Sequence, residues 1–351
     1  MRIRQSGNRT SGILLCACLL AWTVISPGCA SSRIAHDHAR LSGPAPVWPR
    51  PPAKARISYV GSVYDPADYG VRLSGWRRCL NFITGSDDGL EPFTQPSAVA
   101  LDEAGNLCVA DRGARAVSVF ERETKKARRW TSAGQFRFNS PVAVAKMGKV
   151  IFVADSELGK VLAFDLQGKI IFATGTEMMR PVGLAILEDS LLVADAKQHC
   201  ICVYSLHGTL LRKIGKRGTG KGEFNFPTHV AVDRNSRIYV TDSMNMRVQV
   251  LSRSGEYLGT IGSAGDSSGH FSRPKGIAVD RSGHVYVVDA LLDNIQVFDA
   301  KGALLLGWGS PGTGMGEFWL PSGIAIGSDD QIFVADSSNR RIQIFKYAGG
   351  E

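Results

Sequence analysis

Several residues in this 351-residue chain have types and spacings that could support chemistry. An aspartate ends an apolar, strand-like run at intervals of 40 to 47 residues: Asp111, Asp155, Asp195, Asp242, Asp289 and Asp336. Carboxylates of this kind could bind a metal ion or act as acids. Because one recurs in every unit directly before a turn, we interpret them as structural groups that hold the turn or pair with arginine.

His229 is the residue with the most distinctive position. It lies two residues after a recurring proline, where the other units have Ala98, Ala143, Gly183, Gly276 and Gly323. It could bind a metal, contact a ligand, or be a solvated bystander. Zinc catalysis usually needs about three protein ligands, and no other unit has histidine at this position. Lys275, which follows Pro274, is the second candidate for ligand contact.

Two further patterns have ordinary explanations. Residues 215–222, Gly-Lys-Arg-Gly-Thr-Gly-Lys-Gly, nearly match a phosphate-binding loop, but Gly222 replaces the hydroxyl residue and a predicted strand follows instead of a helix. We interpret this segment as a connecting loop. Cys200 and Cys202 point the same way on a predicted strand, where they could bind a soft metal or fill space in the core.

The elements that position these side chains form six repeats. A proline opens each unit and an alanine stands four residues after it, with the prolines at Pro96, Pro141, Pro181, Pro227, Pro274 and Pro321. Each unit holds four short runs of β-branched and aromatic residues between turns. Four strands per 40–47 residues, six times over, predict an all-β, six-bladed β-propeller with four-stranded blades across residues 93–347.

The last unit lacks a fourth strand. Residues 57–63 resemble the outer strand of another unit, so we predict that this N-terminal strand completes blade 6 and closes the ring. Residues 64–92 form a connector. Within it, the spacing of Trp76, Cys79, Leu80 and Ile83 predicts one short amphipathic helix over 74–84. This helix could be a lid on one propeller face or could lie on a membrane surface.

The N-terminus is typical of an export signal. Residues 1–28 combine arginines with an apolar run at 13–25. Gly28 and Cys29 resemble the lipobox of bacterial lipoproteins, which implies cleavage before Cys29 and lipidation of that cysteine; secretion by another cut and an uncleaved anchor are the alternatives. Because Ala30 follows, the resemblance implies the outer membrane if the host has one. Residues 29–56 then form a proline-rich stalk.

The repeats also resemble a known family. Residues 242–250 (Asp-Ser-Met-Asn-Met-Arg-Val-Gln-Val), residues 336–345 and residues 274–280 are similar to the NHL repeat. The whole arrangement resembles bacterial six-bladed NHL-type propeller lipoproteins. The resemblance implies a lipid-anchored domain facing the periplasm or the exterior. An amidating lyase of this superfamily holds zinc with several channel histidines, and only His229 fits that pattern here.

Charge and composition leave several function classes open. The formal net charge is +9, or +6 once the three arginines of the signal are removed. We expect a monomeric binding scaffold for a protein, peptide or glycan of the cell envelope, because no convergent ligand set is evident. The alternatives are a metal-dependent lyase or hydrolase near His229 and a structural component of a membrane complex. No cofactor is predicted, with zinc or calcium as alternatives, and export argues against nucleic acid.

Overall fold

The computed structural model describes residues 44–71, 91–175 and 177–348. The first half begins with two N-terminal strands, β1 (Val47–Trp48) and β2 (Ile57–Val63). Blade 1 holds β3 (Pro96–Leu101), β4 (Leu107–Asp111), β5 (Ala116–Phe120) and β6 (Ala127–Trp130). The short pair β7 (Ser132–Ala133) and β8 (Phe136–Arg137) follows it. Blade 2 holds β9 (Pro141–Met147), β10 (Val150–Asp155), β11 (Lys160–Asp165) and β12 (Ile170–Ala173).

The second half continues the same pattern. Blade 3 holds β13 (Pro181–Leu187), β14 (Ser190–Asp195), β15 (Cys200–Ser205) and β16 (Leu210–Ile214). Blade 4 holds β17 (Pro227–Val232), β18 (Ile238–Asp242), the 3-10 turn Ser243–Asn245, β19 (Arg247–Leu251) and β20 (Tyr257–Ile261). Blade 5 holds β21 (Pro274–Val279), β22 (Val285–Asp289), β23 (Asn294–Phe298) and β24 (Leu304–Trp308). Blade 6 holds β25 (Pro321–Ile326), β26 (Gln331–Asp336) and β27 (Arg341–Tyr347).

The blades form because each unit alternates short runs of strand residues with turns. In these turns a side chain accepts hydrogen bonds from the backbone of the turn itself. Blade 5 shows the pattern: the Asp280 side chain accepts hydrogen bonds from the backbone N–H groups of Ser282 and His284. Gly283 takes the positive φ that this turn requires. The second strand of the blade, β22, is buried along its whole length. The prediction of an all-β, six-bladed propeller with four-stranded blades is confirmed.

The core lies between blades rather than around the channel. Ala231 of blade 4 packs in one cluster with Ile277 and Val279 of blade 5, and Ala278 of blade 5 packs with Ile324 and Ile326 of blade 6. The repeated alanines are therefore small because the next blade's branched side chains lie against them.

Ring closure follows the predicted route. Strand β2 pairs antiparallel with β27 over its predicted bounds, Ile57–Val63. Strand β1 adds to the outer edge of β2, which makes blade 6 five-stranded. The Trp48 ring of β1 meets Phe345 edge-on at 5.8 Å. The sequence predicts a spacer as far as residue 56, whereas residues 47–48 lie on the propeller.

Other predicted segments fall outside the described residues. These are the signal, Cys29 and the helix over 74–84. Among the residues that the structure describes, no helix has the length and apolarity needed to cross a membrane.

Candidate functional site

One end of the propeller channel brings together the residues around the repeated prolines and aspartates. The proline that starts an innermost strand pairs with the aspartate that ends the second strand, as Pro227 does with Asp242 and Pro321 with Asp336. Because the strands are antiparallel, both the starts of the innermost strands and the turns after the aspartates reach the same end. We call this end the mouth face.

The mouth face surrounds a central pocket of about 300 Å³. Each blade lines this mouth pocket with the residue that follows its proline: Ser97, Val142, Val182, Thr228, Lys275 and Ser322. The rest of the lining comes from neighbouring positions: Gln95, Arg112, Arg180, His229, Leu320, Ser337 and Ser338. Both ligand candidates from the sequence, His229 and Lys275, therefore lie in the same pocket. The sequence analysis missed the remaining members of the ring, although they share one position relative to the repeated proline.

The mouth pocket is cationic. Its lining includes Arg112, Arg180 and Lys275, and no carboxylate side chain lines it among the described residues. Among the described residues, none of these three forms a salt bridge; Arg112 donates to the Gln95 side chain at 3.1 Å. Burial, followed by the charges of Arg273 and Arg112, lowers the pKa of Lys275. Unpaired cations around a small hollow attract an anion, because a bound negative charge relieves their mutual repulsion.

His229 is held neutral beside this pocket. Neither of its ring nitrogens is exposed, and neither has a hydrogen-bond partner among the described residues. Burial, together with the charge of Lys275, lowers the pKa of His229 to about 3. The neighbouring Thr228 hydroxyl is likewise buried without a described partner. Buried polar atoms of this kind usually bind water or a ligand.

The arrangement around His229 differs from that of a metal site. Within residues 44–71, 91–175 and 177–348, no group of three or more His, Cys, Asp or Glu side chains is placed to hold a metal ion. A histidine whose nitrogens are both inaccessible also cannot reach a substrate in this conformation.

The six repeated aspartates bind the backbone in two different ways. In blades 1, 2, 3 and 5, the carboxylate accepts both N–H groups that precede the proline. Asp155, for example, accepts from Asn139 at 2.7 Å and from Ser140 at 3.0 Å. In blades 4 and 6, side-chain donors take up some of the hydrogen-bonding positions of the carboxylate. Asp336 accepts from three of them, at 2.9 Å from Asn339, 2.7 Å from Arg341 and 3.1 Å from Gln343.

In this second pattern, the backbone N–H of the residue before the proline donates to an acceptor other than the repeated aspartate. Asp336 accepts only one of the two backbone N–H groups, that of Trp319. The N–H of Leu320 instead donates to Asp293 of the previous blade at 2.7 Å. In blade 4, the N–H of Phe226 likewise donates to Nδ1 of His199 at 3.1 Å. Both redirected residues take φ values of +50° and expose their apolar side chains.

Cys200 and Cys202 occupy the blade 3 positions of this same network. The strand register places Cys200 opposite Asp195, as Arg247 lies opposite Asp242. The two sulfur atoms are 3.9 Å apart and buried. The thiol of Cys200, together with burial, raises the pKa of Cys202. These cysteines therefore fill, within the core, the positions that arginine and glutamine occupy in blades 4 and 6.

The loop that resembles a phosphate-binding motif has a different local structure. The N–H of Gly220 donates to the Glu223 side chain at 3.0 Å, and the N–H of Gly218 donates to the Phe224 carbonyl. A carboxylate therefore occupies the position that a phosphate would need. The next element is strand β17, as the sequence predicted.

Comparisons with known proteins agree with this architecture. The NHL repeat family matches residues 318–345, and a family described as 6-bladed beta-propeller matches residues 233–295. Both matches fall in blades 4–6, where the Asp–Arg–Gln network is most complete.

Solved structures with a similar fold include two enzymes and a protein of unknown function. Hydrazine synthase of Kuenenia stuttgartiensis is 13% identical, with a TM-score of 0.54 over 73% of this chain and 96% of that chain. A catalytically inactive virginiamycin B lyase from Staphylococcus aureus, solved with quinupristin, is 12% identical, with a TM-score of 0.53 over 72% and 95%. A protein of unknown function from Bacteroides thetaiotaomicron is 17% identical, with a TM-score of 0.57 over 72% and 70%. At these identities the likeness concerns the fold alone.

Proposed function

We propose that this chain, a six-bladed β-propeller built from NHL repeats, is a binding module of the bacterial cell envelope whose mouth pocket takes an anionic group of a protein or glycan partner. The observation that carries the proposal is the cationic lining, with Arg112, Arg180 and Lys275 around one hollow that no described carboxylate side chain lines. The fold supplies a rigid frame, and the pocket supplies the chemistry.

The pocket has room for a group that carries a carboxylate or phosphate, and its lining offers partners for the charge. Its volume of about 300 Å³ is at the lower end for small-molecule sites. Three hydroxyl side chains lie in the ring beside the cations. The hydroxyls of Ser97 and Ser322 donate to backbone carbonyls, whereas that of Thr228 has no partner among the described residues. The Thr228 hydroxyl can therefore donate to an anion oxygen while the cations supply the charge, a combination that gives short, strong hydrogen bonds.

Anion binding is tested by calorimetry with malonate and with inorganic phosphate, using glycerol as the uncharged control. We expect Lys275→Ala and Arg180→Ala each to weaken the binding of the preferred anion by about tenfold, corresponding to roughly 1.4 kcal/mol. Lys197→Ala is the matched control, because Lys197 is exposed on the mouth face but does not line the pocket. Absence of anion binding, or equal losses in all three variants, would contradict the proposal.

The location is a second part of the proposal. Export with acylation of Cys29 would tether the propeller to a membrane, outer where the host has one, through the residues that separate Cys29 from β1. Metabolic labelling with an alkyne palmitate should mark the wild-type chain, but not Cys29→Ala. Cys108→Ala serves as the control because Cys108 is buried in blade 1. Labelling that survives Cys29→Ala would contradict the tether.

A further inference from the structure

Within the described ranges, the mouth face exposes its large apolar side chains chiefly on blades 4, 5 and 6. We define the apolar crescent as the exposed large apolar residues of this face, which are Met179, Phe226, Met244, Leu291, Trp319 and Leu320. They belong to blade 3 and, chiefly, to blades 4, 5 and 6. The positions of Phe226 and Trp319 are occupied in blades 1 and 2 by Thr94, Gln95, Asn139 and Ser140. Exposed apolar groups concentrated on one part of a face are typical of an interaction site.

Two members of the crescent are held outward at a conformational cost. Phe226 and Leu320 have φ of +50°, a region that non-glycine residues rarely adopt. Each is fixed there by a side chain of the preceding blade, His199 for Phe226 and Asp293 for Leu320. The His199 ring also meets the Phe226 ring edge-on at 4.6 Å. Strained backbone of this kind persists where the surroundings enforce it, and it is concentrated at binding sites.

The crescent is continuous with the mouth pocket. Leu320 belongs to both, because its side chain is exposed on the face and also lines the pocket. The neighbouring carbonyl of Trp319 accepts from the N–H of Ser338, another pocket residue. A ligand anchored in the pocket therefore lies directly against the exposed side chains of blade 6.

We propose that the crescent and the mouth pocket together bind an extended peptide segment of a partner protein, with an Asp or Glu carboxylate in the pocket and apolar side chains on the crescent. The inference rests on the proposed anion site and adds the class of partner. Charge complementarity favours this occupant, since Arg180 and Lys275 sit in the hollow beside the crescent and neither forms a described salt bridge. A flat lipid surface would meet the rim of the pocket, but a flexible side-chain carboxylate can enter it.

The test is selection of random twelve-residue peptides displayed on phage against the purified full chain. We expect enriched sequences to combine Asp or Glu with two or more Leu, Phe, Ile or Trp residues. Synthetic versions of the enriched peptides are then measured by fluorescence anisotropy against Leu291→Ser/Trp319→Ser. Loss of the two crescent side chains should weaken peptide binding by about tenfold or more, as expected for buried apolar anchors. Malonate binding should stay unchanged.

A matched variant controls for nonspecific binding to exposed apolar side chains. Leu211→Ser/Leu258→Ser removes two equally exposed leucines from the outer strands β16 and β20, away from the mouth face. It should leave peptide affinity within about twofold of the wild type.

Each other outcome overturns the peptide proposal. Enrichment of basic or purely polar peptides, no enrichment, or equal losses in the crescent and control variants would each do so. Sedimentation with vesicles containing phosphatidylglycerol that is lost in Leu291→Ser/Trp319→Ser would assign the crescent to a lipid surface. Dimers in light scattering that dissociate in this variant would assign it to a second copy of the chain. Because malonate binding is measured separately, the anion site can stand or fall independently of the peptide site.

Discussion

Blades 4 and 6 and the other four blades build the same fold with different polar networks. In blades 4 and 6, an arginine and a glutamine on the third strand lock the repeated aspartate, as Arg247 and Gln249 lock Asp242. In the corresponding places blade 1 has Ala116 and Ser118, and blade 3 has the two cysteines. The blade therefore forms with small, uncharged side chains in these two positions. Where the arginine is present, it redirects the neighbouring backbone and creates the exposed corners of the mouth face.

The largest expected effect comes from removing the most buried arginine. Arg341 is 1% exposed, pairs with Asp336 and also donates to the carbonyls of Gly314 and Glu317. Arg341→Ala leaves a buried carboxylate and two carbonyls without this partner. We expect the free energy of unfolding to fall by about 3–5 kcal/mol, measured by urea denaturation. Lys160→Ala, at the same position in blade 2, should cost about 1 kcal/mol because Lys160 donates only to two loop carbonyls. Similar losses would contradict the difference between the two kinds of blade.

The second effect depends on pH. Since the pKa of His229 is lowered to about 3 in the folded chain, only the unfolded chain takes up this proton as the pH falls below 6.5. Stability should therefore fall with decreasing pH, by about 2 kcal/mol between pH 6.5 and pH 5 from this group. His229→Ala, which has the alanine found in blades 1 and 2, should reduce that slope in urea unfolding measured across this range. His207→Ala, at an exposed turn, should leave the slope unchanged.

A third experiment addresses the corner between blades 3 and 4. His199→Ala removes the acceptor for the Phe226 N–H and should lower the free energy of unfolding by about 1–2 kcal/mol. It should also accelerate hydrogen exchange at the Phe226 amide. His199→Asp should restore protection, because Asp293 performs this role for Leu320. Failure of aspartate to restore what alanine removes would show that the ring contact, not the hydrogen bond, fixes the corner.

The smallest effect is expected in the glycine-rich loop of blade 4. Lys216 forms an exposed ion pair with Glu223 at 3.3 Å. Lys216→Gln should therefore change the free energy of unfolding by less than about 0.5 kcal/mol. Magnesium ATP should have the same effect on the unfolding midpoint of the variant and of the wild type. A shift confined to the wild type would indicate that this loop binds phosphate.

The sequence was sufficient for the fold and for part of the site. Recurring prolines and aspartates predicted every blade, because short strands between turns give the sequence a regular spacing of these residues. Strand Ile57–Val63 was predicted with the bounds that the structure shows. His229 and Lys275 were selected and do share a pocket. The orientation of Phe226 could not be predicted, since it depends on an acceptor 27 residues earlier in a different blade. The signal, the lipidation of Cys29 and the helix over 74–84 stay predictions.

Closure of blade 6 sets an order on folding. Ser58 meets Lys346, 288 residues later, so the inner edge of β2 has no partner until β27 has been made. Blades 1–5 consist of local hairpins and can form in sequence as they emerge, whereas β2 must wait with an unpaired edge. A chain stopped before β27 would keep five blades but leave the ring open. The ring can therefore close only after β27 has been synthesised.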